Sequence, residues 1–276
     1  MSTTELSPPT KLPIWQTAKA GYSETYRNLR AFLTAAALPF ALSLLLAATF
    51  ADAPEGQGFT ILHSALDILI VALFELAWYR HLMLQSAETR PRLLPRPGAR
   101  LLAYLGYAWL LGLAFIPAML TLEQPTGTED TASTAHGMLL AQMAAVILLY
   151  IFALYLNVRL GFAFLWIAID ETGRLGESWR STKDNGLRLL AVVMIVAAPF
   201  LGIAVIGSVV TATMFPDVLT QLETPEAGGG PFWFGLVAEQ TLIYIFYAVG
   251  SAAFVHAFSN LTGWSLNQKK ILERFD

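Results

Sequence analysis

The sequence predicts an all-α integral membrane protein: six transmembrane helices forming three hairpins, with amphipathic helices lying at the membrane interface. Three observations predict it. Apolar residues make up 55% of the 276-residue chain and charged residues 13%, where a soluble domain carries roughly 25% charged residues. The apolar residues are gathered into six stretches close to the ~20 residues that a helix needs to cross a ~30 Å hydrocarbon core. Between those stretches, basic and acidic loops alternate. Mean hydropathy is +0.55, and a soluble chain so poor in charge would leave large apolar patches in water.

The first ten or so residues are polar and proline-bearing. No short apolar core with a small-residue cleavage site follows them, so no signal peptide is predicted. Residues 1–13 read as a disordered cytoplasmic tail and 14–276 as one membrane domain. Residues 31–50, 101–120 and 189–210 contain no Asp, Glu, Lys, Arg or His. Residues 138–158 are also uncharged but hold Gln142 and Asn157. Residues 61–79 hold His63, Asp67 and Glu75, and residues 232–255 hold Glu239. Pro39, Pro117 and Pro199 fall inside the charge-free spans, where neighbouring helices can satisfy the carbonyls a proline frees.

Orientation follows from the basic residues, which concentrate in cytoplasmic loops. Lys11, Lys19, Arg27 and Arg30 precede the first span; Arg80, Arg90, Arg92, Arg96 and Arg100 separate the second and third. Arg159, Arg174, Arg180, Lys183 and Arg188 separate the fourth and fifth, and Lys269, Lys270 and Arg274 follow the sixth. These are all 17 of them. The remaining loops carry acids: Asp52 and Glu55, then Glu123, Glu129 and Asp130, then Asp217, Glu223 and Glu226. Both termini are therefore expected in the cytoplasm, and the chain in a cell inner membrane.

The basic side repeats a pattern. Tyr22-x-x-Thr25-x-x-Asn28 leads into the first span and Trp179-x-x-Thr182-x-x-Asn185 into the fifth. Tyr79-Arg80, Val158-Arg159 and Val255-His256 close the even spans. A parallel internal repeat of two-span units is one reading, related by an axis along the membrane normal; recurrent selection of edge residues is the other. Over residues 14–29, Ile14, Ala18, Tyr22, Tyr26 and Leu29 recur at three- and four-residue steps, which predicts an interfacial amphipathic helix using that face. Residues 160–169 are apolar but too short to span, and are expected to extend the fourth helix along the inner surface.

Arg159 closing a span, then Asp170-Glu171, then Leu175-Gly-Glu-Ser-Trp179-Arg-Ser-Thr182-Lys-Asp-Asn185-Gly-Leu-Arg188 opening the next, resembles the bacterial six-span inner-membrane families of unknown activity. These are the YciC-type proteins and the membrane domain attached to some glycerophosphodiester phosphodiesterases. The resemblance is best over residues 159–199 and elsewhere lies in the span pattern. It implies a bacterial inner-membrane protein and no particular chemistry, because the phosphodiesterase barrel has no counterpart in this chain.

Chemistry is sought among ionisable residues at membrane depth. His63, Asp67, Glu75 and Tyr79 form a slowly turning stripe, and Glu75 lies about 21 Å along the helix from Ile61. Arg80 and Arg159 are the nearest cations, and Glu239 lies about 10 Å below Phe232. Asp67, Glu75, Arg80, Arg159, Glu239 and His256 are thus the candidate residues. They form either a polar pathway for a proton, ion or lipid headgroup, or a set of interhelical hydrogen bonds worth ~0.6 kcal/mol each.

Other chemistries find no support. There is no cysteine, hence no disulfide, thiolate metal site or thiol nucleophile. His63, His81, His136 and His256 lack metal-ligand spacing, and no phosphate-binding, dinucleotide, metalloprotease or nucleophile-elbow motif occurs. No cofactor or metal is expected. A net charge of −3 without a basic run gives no reason to expect nucleic acid. The expected partners are membrane lipids and another membrane protein or a second copy of the chain. First among the functional readings is a non-enzymatic accessory, scaffold or lipid-organising subunit. A small transporter or channel using the intramembrane carboxylates comes second, and an intramembrane lipid enzyme third.

Overall fold

The computed structural model describes residues 11–50, 57–84, 98–115, 132–169, 175–214 and 230–264. Among these residues the regular elements are all helical. They are α1 (Ile14–Arg27), α2 (Leu29–Phe50), α3 (Gln57–Leu84), α4 (Ala99–Gly112) with a 3-10 turn (Leu113–Phe115), α5 (Ala132–Leu160), α6 (Phe162–Ala168), α7 (Leu175–Ser181), α8 (Gly186–Met214) and α9 (Gly230–Thr262).

Among the described residues, five helical stretches are long and apolar enough to cross a membrane: Leu29–Phe50, Ile61–Leu84, Leu140–Ala168, Gly186–Thr211 and Trp233–Thr262. They cover the predicted first, second, fourth, fifth and sixth spans. Of the predicted third span, Leu101–Gly112 is a shorter apolar helix, and residues 116–120 lie outside the described residues. So do the acidic loops, the N-terminal residues 1–10, and Arg90, Arg92, Arg96, Arg174, Lys269, Lys270 and Arg274.

The helices pack in chain order: α2 on α3, α3 on α4, α4 on α5, α5 on α8 and α8 on α9. The ring closes where α9 packs on α2, and α9 also reaches α3. Close approach on α9 follows from its small residues, since Ala248, Ala252, Ala253 and Ala257 are all buried and small side chains let helix backbones meet in a bilayer. Aromatic rings fill the wider gaps. Phe32 of α2 meets Phe74 and Trp78 of α3 edge-on, each with ring centroids 6.0 Å apart. Trp78 Nε1 donates to the Ala248 carbonyl at 3.0 Å.

Burial is confined to one end of the bundle. Buried residues reach no further than Ser43 on α2, Val71 on α3, Ala153 on α5, Val196 on α8 and Tyr244 on α9. Beyond them, residues 44–50, 61–70, 140–152, 197–211 and 233–243 include none that is buried. That open end displays large apolar side chains, among them Leu45, Leu148, Ile206 and Phe234, a surface suited to lipid and not to water.

The packed end holds the three short helices. α6 continues α5 after a break at Gly161, with Phe162, Leu165 and Ala168 fully buried, and it packs on α3, α4 and α9. α1 packs on α9 by its small residues. Thr17, Ala18, Gly21 and Thr25 are buried, whereas Tyr26 is 80% exposed and Leu29 47%. The reason is steric. A Cβ on Gly21 would stand 2.6 Å from the Val249 carbonyl oxygen and 2.9 Å from the Ala253 Cβ, so only the small-residue face can approach α9 so closely. Ile14 and Tyr22 are half-buried at its border. Tyr22 donates its hydroxyl to the Val196 carbonyl at 2.9 Å, one turn before Pro199, where the proline weakens the helix's own bonding.

Candidate functional site

α3 carries the predicted stripe, with His63, Asp67 and Glu75 partly buried and Tyr79 buried. α3 packs against α2, α4 and α9, and Tyr104 of α4 and Tyr247 of α9 both lie in the field of Glu75. Tyr104 of α4 is the polar group that bears most on the Glu75 carboxyl. Its hydroxyl is completely buried. One turn along α3, Tyr79 is paired with Ser251 of α9, which is itself only 3% exposed. Tyr247 of α9 lies in the fields of both Glu75 and Asp67. Burial and the Tyr104 hydroxyl are the influences that bear on Glu75, and the hydroxyls of Tyr79, Tyr104 and Tyr247 lie in its field.

Asp67 stands toward the open end, about 12 Å from Glu75 along the helix at 1.5 Å per residue. It is half-buried, with His63 one turn away as its charged neighbour. His63 in turn lies against Phe50, centroid to centroid 5.2 Å. Tyr244 of α9 feels Asp67 and shares a buried hydrogen bond of 3.0 Å with Ser43 of α2. The carboxylates therefore face a column of hydroxyls contributed mainly by α9.

The other candidates go elsewhere. Arg80 donates to the Ala168 carbonyl at 2.9 Å, at the end of α6. Arg159 is only 6% exposed, and its work is structural. It donates to the Thr182 and Trp179 carbonyls, both at 2.9 Å, and its guanidinium lies 4.0 Å from the Trp179 ring centroid. In return Ser178 donates its hydroxyl to the Arg159 carbonyl at 2.8 Å, one of the acceptors left over where α5 ends. A guanidinium at the last carbonyls of α7 also complements that helix end. Glu239 is exposed on the outside of α9, so it does not join Asp67 and Glu75.

His256 lies at the packed end, where a cavity of about 140 Å³ is lined by Ala20, Glu24, Leu82, Ala252, Val255, His256 and Ser259. Glu24 is its charged neighbour. Asn28 links α1 to α3 there, with its side-chain oxygen 3.4 Å from His81 Nε2.

Tyr104, Tyr244, Tyr247, Ser43 and Ser251 complete the polar column, and sequence reading did not single them out. Their only signal is a hydroxyl at membrane depth, which an aromatic core residue shares.

A carboxyl beside buried hydroxyls suits a proton or a hard cation. Among the described residues no group of three His, Cys, Asp or Glu side chains comes together to hold a metal ion. No known protein family, curated protein or solved structure matches the chain.

Proposed function

We propose that this chain is a multi-pass inner-membrane protein that carries or conducts a proton or small cation along α3, with Glu75 as the acceptor in the packed half and Asp67 toward the open end. One observation carries the reading: the side chain that bears on the Glu75 carboxyl is the buried Tyr104 hydroxyl, while Arg159, the cation sequence offers from another span, donates to the Thr182 and Trp179 carbonyls. A carboxylate kept inside a bundle for structure alone is ordinarily paired with a cation, because an unpaired charge there is costly. The open end, with no buried residue on α3 between Ile61 and Ile70, supports access to Asp67.

Cytoplasmic termini and a bacterial inner membrane belong to this proposal, on the distribution of Lys and Arg and the resemblance over residues 159–199. The two-span repeat supports it too, since parallel repeats are one way carriers are built. A second reading, as an accessory, scaffold or lipid-organising subunit, draws on the broad apolar surface of α8, where Leu201, Ile203, Val205, Ile206 and Val209 are all exposed.

Thermal unfolding of the full chain in detergent between pH 5 and 9 separates the two. The carrier reading expects a pH-dependent midpoint in the wild type and a flat profile in Glu75→Gln, with that variant still folded. Parallel profiles in both proteins would favour the scaffold.

A further inference from the structure

We propose that the cavity between α1, α3 and α9 is a binding site for a primary ammonium group, as carried by ethanolamine or an ethanolamine lipid headgroup. The site is separate from Glu75, and neither its support nor its test depends on the carrier reading.

Helix packing makes the cavity. α1 meets α9 closely at Gly21, where an added Cβ would stand 2.6 Å from the Val249 carbonyl oxygen. Beside that contact, Ala20 and Glu24 of α1, Leu82 of α3, and Ala252, Val255, His256 and Ser259 of α9 line about 140 Å³. A water occupies about 30 Å³ of the liquid, so the space suits a molecule of a few heavy atoms. Glu24, His256 and Ser259 are all half-buried, screened from bulk water while still reachable. Asn28 holds the carboxylate, donating from Nδ2 to Glu24 Oε1 at 3.0 Å and to the Glu24 carbonyl at 2.9 Å. The Asn28 side-chain oxygen lies 3.4 Å from His81 Nε2, and the His81 ring stacks on Trp78, which ties the carboxylate to α3. Leu82 and Ser259 lie within one turn of the ends of α3 and α9. That is the depth at which a span leaves hydrocarbon for headgroups.

Chemistry then selects the ligand. A carboxylate, an imidazole nitrogen and a hydroxyl can each accept from one N–H of a primary ammonium, which has three donors and no acceptor. Glu24 supplies the opposite charge, and charge-assisted hydrogen bonds are the stronger kind. A quaternary ammonium has no N–H to give and is ordinarily held by aromatic faces; the described lining includes no Phe, Tyr or Trp. An anion would be repelled by Glu24. Among the described residues no group of three His, Cys, Asp or Glu side chains comes together for a metal ion. Ala20, Leu82, Ala252 and Val255 offer an apolar wall for the methylenes beside the nitrogen.

The test uses the purified full chain in detergent at pH 8, with unfolding followed by tryptophan fluorescence. Ethanolamine hydrochloride is titrated against choline chloride at constant ionic strength. In a parallel series, mixed micelles carry phosphatidylethanolamine or phosphatidylcholine. A ligand that binds only the folded state raises its midpoint saturably. The site predicts such a rise with free ethanolamine, the ethanolamine lipid or both, and not with the choline counterparts. A response to the lipid alone assigns the site to a headgroup, and a response to the free amine assigns it to the ammonium itself. The rise should vanish in Ala20→Leu, which fills the cavity and leaves its polar groups in place. It should move at least several-fold to higher concentration in Glu24→Gln, which keeps an oxygen for Asn28, and in Ser259→Ala. Ala20→Leu and Ser259→Ala keep the comparison decisive if Glu24→Gln does not fold. An equal rise with the choline probes, or the same rise in every variant, overturns the assignment as a general salt or lipid effect. No rise with either ethanolamine probe overturns it as well, and leaves the reading of Glu75 untouched.

Discussion

Arg159 lies with its guanidinium 4.0 Å from the ring of Trp179 while donating to the carbonyl of the same residue at 2.9 Å. The pair binds the end of α5 to the end of α7, and with Thr182 it fixes where α8 begins. The turn is tight enough to hold Asp184 at φ 65°, a left-handed conformation that short polar residues tolerate. An arginine that sequence alone offers as a counter-ion for Glu75 thus gives both terminal nitrogens of its guanidinium to backbone carbonyls.

Replacing that arginine tests the clamp. Arg159→Lys keeps the charge but loses the planar fork that reaches two carbonyls and stacks on indole. It should cost about 1.5–3 kcal/mol, the range for hydrogen bonds made by charged groups. Unfolding midpoints in detergent measure this, and cation- or pH-dependence at Glu75 should persist in the variant.

Glycine positions separate tight from open packing. Gly21→Ala puts a methyl group 2.6 Å from the Val249 carbonyl oxygen, and overpacking of this kind costs about 1–3 kcal/mol. Gly202→Ala, with nothing within 4 Å of the added Cβ, should be neutral or gain up to about 1 kcal/mol from helix propensity. A reversed order in thermal stability would show that α1 does not dock on α9 by its small-residue face.

Tyr22→Phe removes the hydroxyl bonded to the Val196 carbonyl and keeps the ring, which lies parallel to that of Phe200 at 6.4 Å. A loss of about 0.5–1.5 kcal/mol is expected, the usual range for one neutral hydrogen bond. No loss at all would mean that the proline-bearing turn of α8 needs no outside donor.

Topology is checked with fused reporters. Fusions after Phe50, Leu120 and Phe215 should report the periplasm, and those after Arg92, Trp179 and Asp276 the cytoplasm. A single reversed site would break the three-hairpin arrangement.

What was legible in the sequence was what periodicity and composition encode: the long apolar helices and the polar stripe His63–Asp67–Glu75–Tyr79. The partners of that stripe were not. Tyr104 and Tyr247 look like any aromatic residue of a span until the ring order sets α4 and α9 against α3. Glu239 misled for the same reason: at about 100° per residue it stands roughly 80° around α9 from Tyr247, and only packing decides which direction faces inward. Arg159 was seen as a candidate, but its acceptors are backbone carbonyls, which have no residue signature. On α1 the apolar stripe is legible, but the docking face of Gly21 and its small neighbours is not, because it is chosen by the close approach of α9.

The central claim is that Glu75 is a working acceptor inside the bundle. It is tested most directly by ion flux into vesicles containing the purified chain under an imposed proton or sodium gradient, with wild type and Glu75→Gln compared at equal folded protein. The account predicts flux above protein-free vesicles in the wild type and its loss in the variant. Equal flux in both, or none in the wild type under either gradient, would contradict it.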